Sequence, residues 1–154
     1  MKDEGKIIAS DISDERLKLI QENCARLGVT CAETISNSQF AIRNSQFDRV
    51  LIDAPCSNTG VMRRRVDLRW RISAEEISRL QKTQLELLEI AVTKLKSKGI
   101  LVYSTCSLEP EENSEVVKAF LAAHSDFKLN QSANCCHLPM AWMARFVARF
   151  AKLS

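Results

Sequence analysis

The chain has 154 residues and a formal net charge of +3, with 45% hydrophobic and 27% charged residues. This composition is typical of a globular domain with its own core, and its apolar runs are far shorter than the ~20 residues that cross a membrane. The opening sequence MKDEGKIIASD holds no apolar segment long enough for a signal peptide. We therefore expect a cytoplasmic protein with no membrane partner, acting as a monomer.

The amino-terminal third alternates between short apolar runs and one helical pattern. Residues 6–10 predict a strand. Residues 13–28 predict a helix, because they begin with serine, a good N-cap, place apolar residues on one face and end at glycine. A second short strand is predicted at 29–31, a loop without pattern at 32–47, and a buried strand at 47–53.

The remainder continues the alternation after a long arginine-rich loop at 54–72. A capping box predicts that a helix begins at residue 73, and a glycine predicts that it ends at residue 99. A buried strand at 100–105, a helix at 109–124 and a last strand at 145–152 follow. Strands that alternate with helices predict an α/β fold with a mostly parallel sheet.

Four chemically functional side chains follow the predicted strands. Asp11 follows the first strand, Asp53 and Cys56 end the buried strand in the sequence DAPC, and Cys106 ends the next one in STCS. In such sheets ligands bind beyond the carboxyl ends of the strands. We therefore expect both cysteines to face one crevice although they lie far apart in sequence.

Two thiols and an acid suit methylation of cytosine at carbon 5. Carbon 5 is a poor nucleophile until a thiolate adds to carbon 6. An acid near ring nitrogen 3 favours that addition by sharing a proton, and a second thiol assists the later elimination. Cys106 precedes a predicted helix start, where the helix dipole lowers a thiol pKa, so we expect Cys106 to be the activated thiol.

Four stretches, DAPCSNTG, DLRW, YSTCSLEPEEN and ASDISDERL, closely resemble the Sun/Fmu-type RNA cytosine-5 methyltransferases. The resemblance runs from about residue 5 to residue 122. It implies a Rossmann-like sheet with flanking helices, S-adenosylmethionine as cofactor and RNA, expected to be ribosomal, as substrate. On this resemblance residues 1–154 are part of a class I methyltransferase catalytic domain.

The resemblance also implies residue roles. Cys106 is the nucleophile that attacks carbon 6, and Cys56 assists product release. Asp53 lies between cofactor and cytosine and hydrogen-bonds the base, whereas Asp11 holds the cofactor ribose. DNA cytosine methyltransferases use the cysteine of a Pro-Cys pair, which would nominate Cys56, but the later STCS followed by PEEN favours the RNA assignment.

The chain departs from the family pattern in several ways. It has four glycines and no glycine-rich cofactor loop, so we expect it to lack the family's first strand, that loop and the amino-terminal RNA-binding region. The acid that contacts adenine has no clear counterpart. Asn58 stands where glycine is commoner in the family. Without the family's first strand, the two strands that would flank it are expected to have unpaired inner edges.

The remaining candidates concern RNA and metal binding. The arginines of the long loop suit contacts with RNA phosphates, and we expect Arg63, Arg64, Arg65 and Arg69 to make them. Trp70 is predicted to pack in the core rather than stack on a base. The six cysteines, including the pair before His137, match no zinc-binding spacing, so no metal site is expected.

Three functions of different classes remain open at this point. The chain is part of an RNA cytosine-5 methyltransferase, a non-catalytic remnant that binds RNA through its arginines, or a thiol redox protein that uses Cys56 and Cys106. A redox protein would form a disulfide between these two cysteines and have no need of Asp11. A methyltransferase would be trapped on 5-fluorocytidine RNA through Cys106.

Overall fold

The computed structural model describes residues 4–36, 44–70, 72–134 and 145–153. It divides into two compact units, residues 1–44 and residues 45–154. The described residues contain strands and helices in alternation, which confirms the predicted α/β class. None of the described helices is long and apolar enough to cross a membrane.

The described part of the first unit, residues 4–36 and 44, forms a strand, a helix and a second strand parallel to the first. Strand β1 (Ile7–Asp11) leads into helix α1 (Asp14–Leu27), and strand β2 (Ala32–Ser36) pairs with β1 in parallel. The predicted caps are confirmed. The Ser13 side chain accepts a hydrogen bond from the Arg16 backbone N–H, and Gly28 ends the helix at φ 68°, where a side chain is disfavoured.

The second strand of this unit lies later than the sequence pattern predicts. It occupies Ala32–Ser36, not 29–31, so the predicted loop at 32–47 is wrong over its first five residues. Pairing with β1, in the register Ile7↔Ala32 to Asp11↔Ser36, defines the strand in the absence of a local apolar run. Residues 37–43 of that predicted loop lie outside the described residues.

Among its described residues, the second unit holds four strands and two longer helices. Its elements in chain order are β3 (Phe47–Asp53), α2 (Ala74–Lys94), β4 (Leu95–Thr105), α3 (Ser114–Ala123), β5 (Phe127–Asn134) and β6 (Phe146–Lys152). The sheet order is β3-β4-β6-β5. The β3–β4 pair is parallel and the other two pairs are antiparallel, so this sheet is mixed and the prediction of a mostly parallel sheet is wrong for it.

The core lies where α2 and α3 pack on one face of this sheet. Leu88 of α2, Phe120 of α3, Leu101 of β4 and Phe150 of β6 are all almost completely buried in one cluster. Burying each such side chain contributes about 1.5–3 kcal/mol relative to exposure. On the opposite face Leu51 of β3 is 69% exposed.

Three predicted boundaries in the second unit are corrected. Helix α2 ends at Lys94, and residues 95–99 belong to β4. Gly99 is therefore no helix cap; it sits where an added Cβ would lie 2.6 Å from the Leu95 side chain. The helix predicted at 109–124 begins at Ser114, after a short 3₁₀ turn over Pro110–Glu112. Strand β5 was not predicted, since its sequence FKLNQSAN is largely polar, whereas the strand predicted at 145–152 is confirmed as β6.

Candidate active site

The parallel β3–β4 pair brings the two predicted cysteines together. Asp53 and Ser104 are register partners at the ends of these strands, so the loops that follow start side by side. The Sγ atoms of Cys56 and Cys106 are 3.1 Å apart, and the Cys106 backbone N–H donates to the Cys56 sulfur at 3.3 Å. Cys56 is buried and Cys106 is half-buried. The expected juxtaposition of the two thiols is present in the structure.

Asn58 connects the two cysteine loops. Its side-chain Nδ2 donates to the Cys56 carbonyl oxygen at 2.7 Å, and its Oδ1 accepts from the Cys106 thiol at 2.8 Å. Cys56, Asn58 and Cys106, with the buried hydrogen bonds described next, are called the thiol site below.

Glu112 anchors both loops from beneath. Its carboxylate is completely buried and accepts from the Ser57 N–H at 2.9 Å, the Ser107 hydroxyl at 2.5 Å and the Gln84 amide at 3.0 Å, and also from the Ser57 hydroxyl. Ser57 directly follows Cys56, and Ser107 directly follows Cys106. One carboxylate therefore fixes the residue next to each thiol, with four donors that compensate its burial.

A second layer of hydrogen bonds locks the loop after β4. The Thr105 hydroxyl donates to Asn113 Oδ1 at 2.6 Å, and Asn113 Nδ2 donates to the Ser107 carbonyl at 3.0 Å. The buried Tyr103 hydroxyl donates to the Glu112 carbonyl at 2.7 Å. Burial raises the pKa of Tyr103 well above its usual range, so the phenol stays a neutral donor.

Sequence reasoning missed the residues of this buried network. Glu112 lies within the quoted PEEN motif, which carried the signal, but no role was assigned to it. Ser57 and Ser107 stand next to the cysteines, but the sequence alone indicates no function for either hydroxyl. Gln84 of α2 has no local signal, since only the packing of that helix brings its amide to Pro55 and Glu112.

The two thiols have opposite acidities. The hydrogen bond from Cys56 lowers the pKa of Cys106 to about 7, against opposing effects of burial and the Asp53 charge and with a smaller favourable effect of Arg145. The same contact, followed by burial, raises the pKa of Cys56 far above its ordinary value. Near neutral pH, Cys106 is therefore the available nucleophile, and Cys56 stays a thiol that donates a hydrogen bond to it.

The predicted reason for this activation is wrong, although the activated residue is the expected one. Helix α3 starts only at Ser114, eight positions after Cys106, too far for a helix dipole to act at close range. The neighbouring thiol is the main cause of the lowered pKa.

The two predicted acids lie in different units. Asp53 is exposed at the end of β3, and its negative charge acts on Cys106. Asp11, at the end of β1, accepts a hydrogen bond from the Ser13 N–H at 2.9 Å and one from Arg16 at 3.4 Å. Asp11 thus caps the turn before α1, and its half-buried carboxylate keeps further acceptor capacity for a ligand.

Residues 62–70, called the arginine loop below, are mostly exposed. Its four predicted RNA contacts, Arg63, Arg64, Arg65 and Arg69, all lie on the surface. Trp70 is 89% exposed, so the prediction that it packs in the core is wrong. It ends a 3₁₀ turn that buries only Leu68, which leaves the indole outside the core.

The metal prediction is tested only in part of the chain. Cys135, Cys136 and His137 lie outside the described residues. Among the residues the structure describes, no group of three or more histidine, cysteine or acidic side chains is arranged to hold a metal ion.

Residues 1–140 match the family described as 16S rRNA methyltransferase RsmB/F. The chain belongs to this family. It is 42% identical over 131 residues to ribosomal RNA small subunit methyltransferase B of Photorhabdus laumondii, a match that covers 82% of this chain and 30% of that protein. The same protein of Escherichia fergusonii is 41% identical over 129 residues, again with 82% and 30% covered. The chain therefore matches about a third of the length of these relatives.

Solved structures agree with this assignment. NSun6 from Pyrococcus horikoshii with SFG is 28% identical, with a TM-score of 0.81 over 99% of this chain and 43% of that one. A methyltransferase homologue from the same organism is 30% identical, with a TM-score of 0.78 over 99% of this chain and 55% of that one. The resemblance to the Sun/Fmu-type enzymes and the expected Rossmann-like methyltransferase fold are thus confirmed.

Proposed function

We propose that this chain carries the cytosine-side machinery of an RNA cytosine-5 methyltransferase, with small-subunit ribosomal RNA as substrate and residues 1–154 as part of one class I catalytic domain. The observation that carries the proposal is the thiol pair, with sulfur atoms 3.1 Å apart and the pKa of Cys106 lowered to about 7. Family membership supports the methyl-transfer reaction, and the names of the relatives support the RNA.

In the proposed mechanism Cys106 acts as nucleophile. Its thiolate adds to carbon 6 of cytosine, and the ring electrons move to carbon 5 while Asp53 supports a proton at ring nitrogen 3. After carbon 5 has gained its methyl group, a base, here a water molecule of the solvent, removes the hydrogen of carbon 5 as a proton. The electron pair re-forms the ring double bond and expels the Cys106 thiolate. Cys56, which stays a thiol, donates a hydrogen bond to the departing sulfur and so assists release.

S-adenosylmethionine, when bound, supplies the electrophilic methyl group. Asp11 fits a role in holding its ribose hydroxyls, because its carboxylate follows a parallel strand and keeps acceptor capacity beyond its two bonds within the chain. Asp53 holds the corresponding position after β3 and is exposed. NSun6, a structural relative with SFG, an analogue of S-adenosylmethionine, supports this choice of cofactor.

The arginine loop is the proposed RNA contact. In the part of the chain that the structure describes, the side chains of Arg63, Arg65 and Arg69 make no ion pair, so their charges are available to phosphates. Trp70, which follows Arg69 and is also exposed, offers a flat indole surface on which a base can stack. A monomer acting in the cytoplasm, with RNA as its partner, remains our prediction for the assembly.

The test is covalent trapping on RNA. The purified chain is incubated with S-adenosylmethionine and small-subunit ribosomal RNA that contains 5-fluorocytidine, whose carbon 5 has no removable proton. We expect an adduct that survives a denaturing gel and maps to Cys106. Cys106→Ser should form none, whereas Cys56→Ser should also accumulate an adduct on ordinary RNA. An adduct that requires Cys56 and survives loss of Cys106 would reverse the two roles.

The close approach of the thiols also favours a second candidate, a dithiol redox protein. Such a protein would cycle between the dithiol and a Cys56–Cys106 disulfide and would form no adduct with RNA. RNA binding without an adduct, from a folded chain, would instead support a non-catalytic RNA-binding protein.

A further inference from the structure

Asn58 occupies a backbone conformation that few residues adopt. Its φ of 61° and ψ of 24° lie in the left-handed region, which glycine adopts freely and asparagine tolerates better than most residues. This conformation turns the Asn58 side chain between the two cysteines, within hydrogen-bond distance of both their loops.

The orientation of the Asn58 amide is fixed by one neighbour. The Cys56 backbone carbonyl is only an acceptor, so the amide nitrogen must face it, at 2.7 Å. The amide oxygen must then face Cys106, at 2.8 Å. Reversing the amide would set its oxygen against the Cys56 carbonyl oxygen. The Asn58 amide therefore presents an acceptor, and not a donor, to the Cys106 sulfur.

An acceptor at this place favours the protonated sulfur. A thiol donates to the amide oxygen, whereas a thiolate loses that bond and meets the negative end of the amide dipole. The other groups that act on Cys106 divide into two sets. The Cys56 thiol and Arg145 favour the thiolate, while burial and Asp53 oppose it.

We propose that Asn58 is a positioning residue whose amide oxygen favours the protonated form of Cys106 in the resting site and so restrains its nucleophilicity. Asn58 thus acts in the opposite direction to Cys56: the Cys56 thiol donates a hydrogen bond to the Cys106 sulfur, whereas the Asn58 amide oxygen accepts one from it. The consequence for methyl transfer rests on the proposed function, because Cys106 gives up this contact when it ionises to attack the base.

The same restraint protects the thiol pair from oxidation. A hydroperoxide oxidises the Cys106 thiolate to a sulfenic acid. The O–O bond breaks, one oxygen is transferred to the sulfur, and the other leaves in an alcohol, or in water when the oxidant is hydrogen peroxide. The Cys56 thiol then attacks that sulfur, forms the disulfide and releases water. Because the first step requires the thiolate, a residue that keeps Cys106 protonated slows the whole sequence.

The test compares the parent chain with Asn58→Gly and Asn58→Asp. Glycine accepts the φ of 61° without strain and removes the acceptor, whereas aspartate keeps the shape and adds negative charge. Alkylation of Cys106 by iodoacetamide is followed from pH 5.5 to 9.5 by mass spectrometry of the tryptic peptide 99–118, in which Cys106 is the single cysteine. No RNA or cofactor is present, so the result is independent of whether the chain transfers methyl groups.

We expect Asn58→Gly to shift the midpoint of the pH profile downward and to raise the rate at pH 6 by about threefold to tenfold, the effect of one hydrogen bond. Asn58→Asp should shift the midpoint upward and slow alkylation at pH 7 by about tenfold. The rate of disulfide formation with hydrogen peroxide should rank in the same way, fastest in Asn58→Gly, intermediate in the parent chain and slowest in Asn58→Asp. An unchanged or raised midpoint in Asn58→Gly, or a lowered one in Asn58→Asp, overturns the proposal. General loosening of the site would instead expose Cys56 to alkylation without moving the Cys106 midpoint, and it also counts against the proposal.

Discussion

In the thiol site nearly every polar group has a partner, whereas in the arginine loop three of the four predicted RNA-binding side chains have none among the described residues. Glu112, Ser57 and Ser107 are buried under the thiols; Arg63 and Trp70 point to the surface. The difference separates two tasks. Bond-making groups must be held in place before the substrate arrives, while groups that contact phosphates are ordered at the cost of side-chain entropy when RNA binds.

The largest effect should come from removing the Glu112 carboxylate, which accepts the buried hydrogen bonds of the thiol site. Glu112→Ala leaves the buried Ser57 N–H, and one of the two hydrogens of the Gln84 amide, without an acceptor. We therefore expect a loss of about 2–5 kcal/mol in the free energy of unfolding, measured by urea denaturation. Glu111→Ala, at the exposed neighbouring position, is the matched control and should change it by less than about 0.5 kcal/mol. Equal losses in both variants would mean that the network is not what stabilises these loops.

A smaller effect, confined to chemistry, should follow from Cys56→Ala. Cys56 is the main cause of the lowered pKa of Cys106, so its removal should raise the midpoint of Cys106 alkylation from about 7 toward the ordinary value of about 8.5. Because the thiolate then forms only at higher pH, the alkylation rate at pH 7 should fall by about tenfold. Cys24→Ala, in α1, should leave the profile unchanged. A profile that stays near pH 7 without Cys56 would assign the activation to Arg145.

Substitutions in the exposed arginine loop should change the affinity for RNA and leave the free energy of unfolding nearly unchanged. Trp70→Ala should weaken binding of a fluorescein-labelled single-stranded RNA by about 1–3 kcal/mol, read by fluorescence anisotropy, while Trp70→Phe keeps most of the affinity. The free energy of unfolding should stay within about 0.5 kcal/mol of the parent in both. Trp70→Ala that unfolds more easily and binds RNA normally would make the indole a structural residue.

The smallest single effects should come from the arginines. Arg63→Ala and Arg65→Ala should each lower the slope of log affinity against log salt by about 0.7, the value for one phosphate contact on a single strand. Lys118→Ala, an exposed cation on α3, serves as the control. A slope that falls as much in the control would indicate diffuse attraction by net charge.

Local sequence signals predicted most of the fold and the two thiols. The serine and glycine caps of α1 and the apolar runs of β3 and β4 act through neighbouring residues, so a pattern is enough to find them. Strand β5 and the true end of α2 depend on pairing across the sheet, where Phe47 lies opposite Leu95 and the register then shifts. Such pairing leaves no local pattern.

The candidate site divides in the same way. Cys56 and Cys106 were identified because each follows an apolar strand, and parallel strands end at one edge. The exposure of Trp70 and the partners of Glu112 were not predictable, because each depends on which surfaces other elements cover. The source of thiol activation was wrongly assigned for this reason: the decisive neighbour is 50 positions away in sequence.

The register of β3 on β4 makes the lengths of these two strands interdependent. Asp53 lies opposite Ser104, and each cysteine follows its strand by a fixed number of residues. Deleting one residue from either strand would draw one thiol back by about 3.3 Å and turn the following side chains to the other face of the sheet. A deletion in one strand is therefore tolerable only with a matching deletion in the other, so the two cysteine motifs are constrained to change in length together.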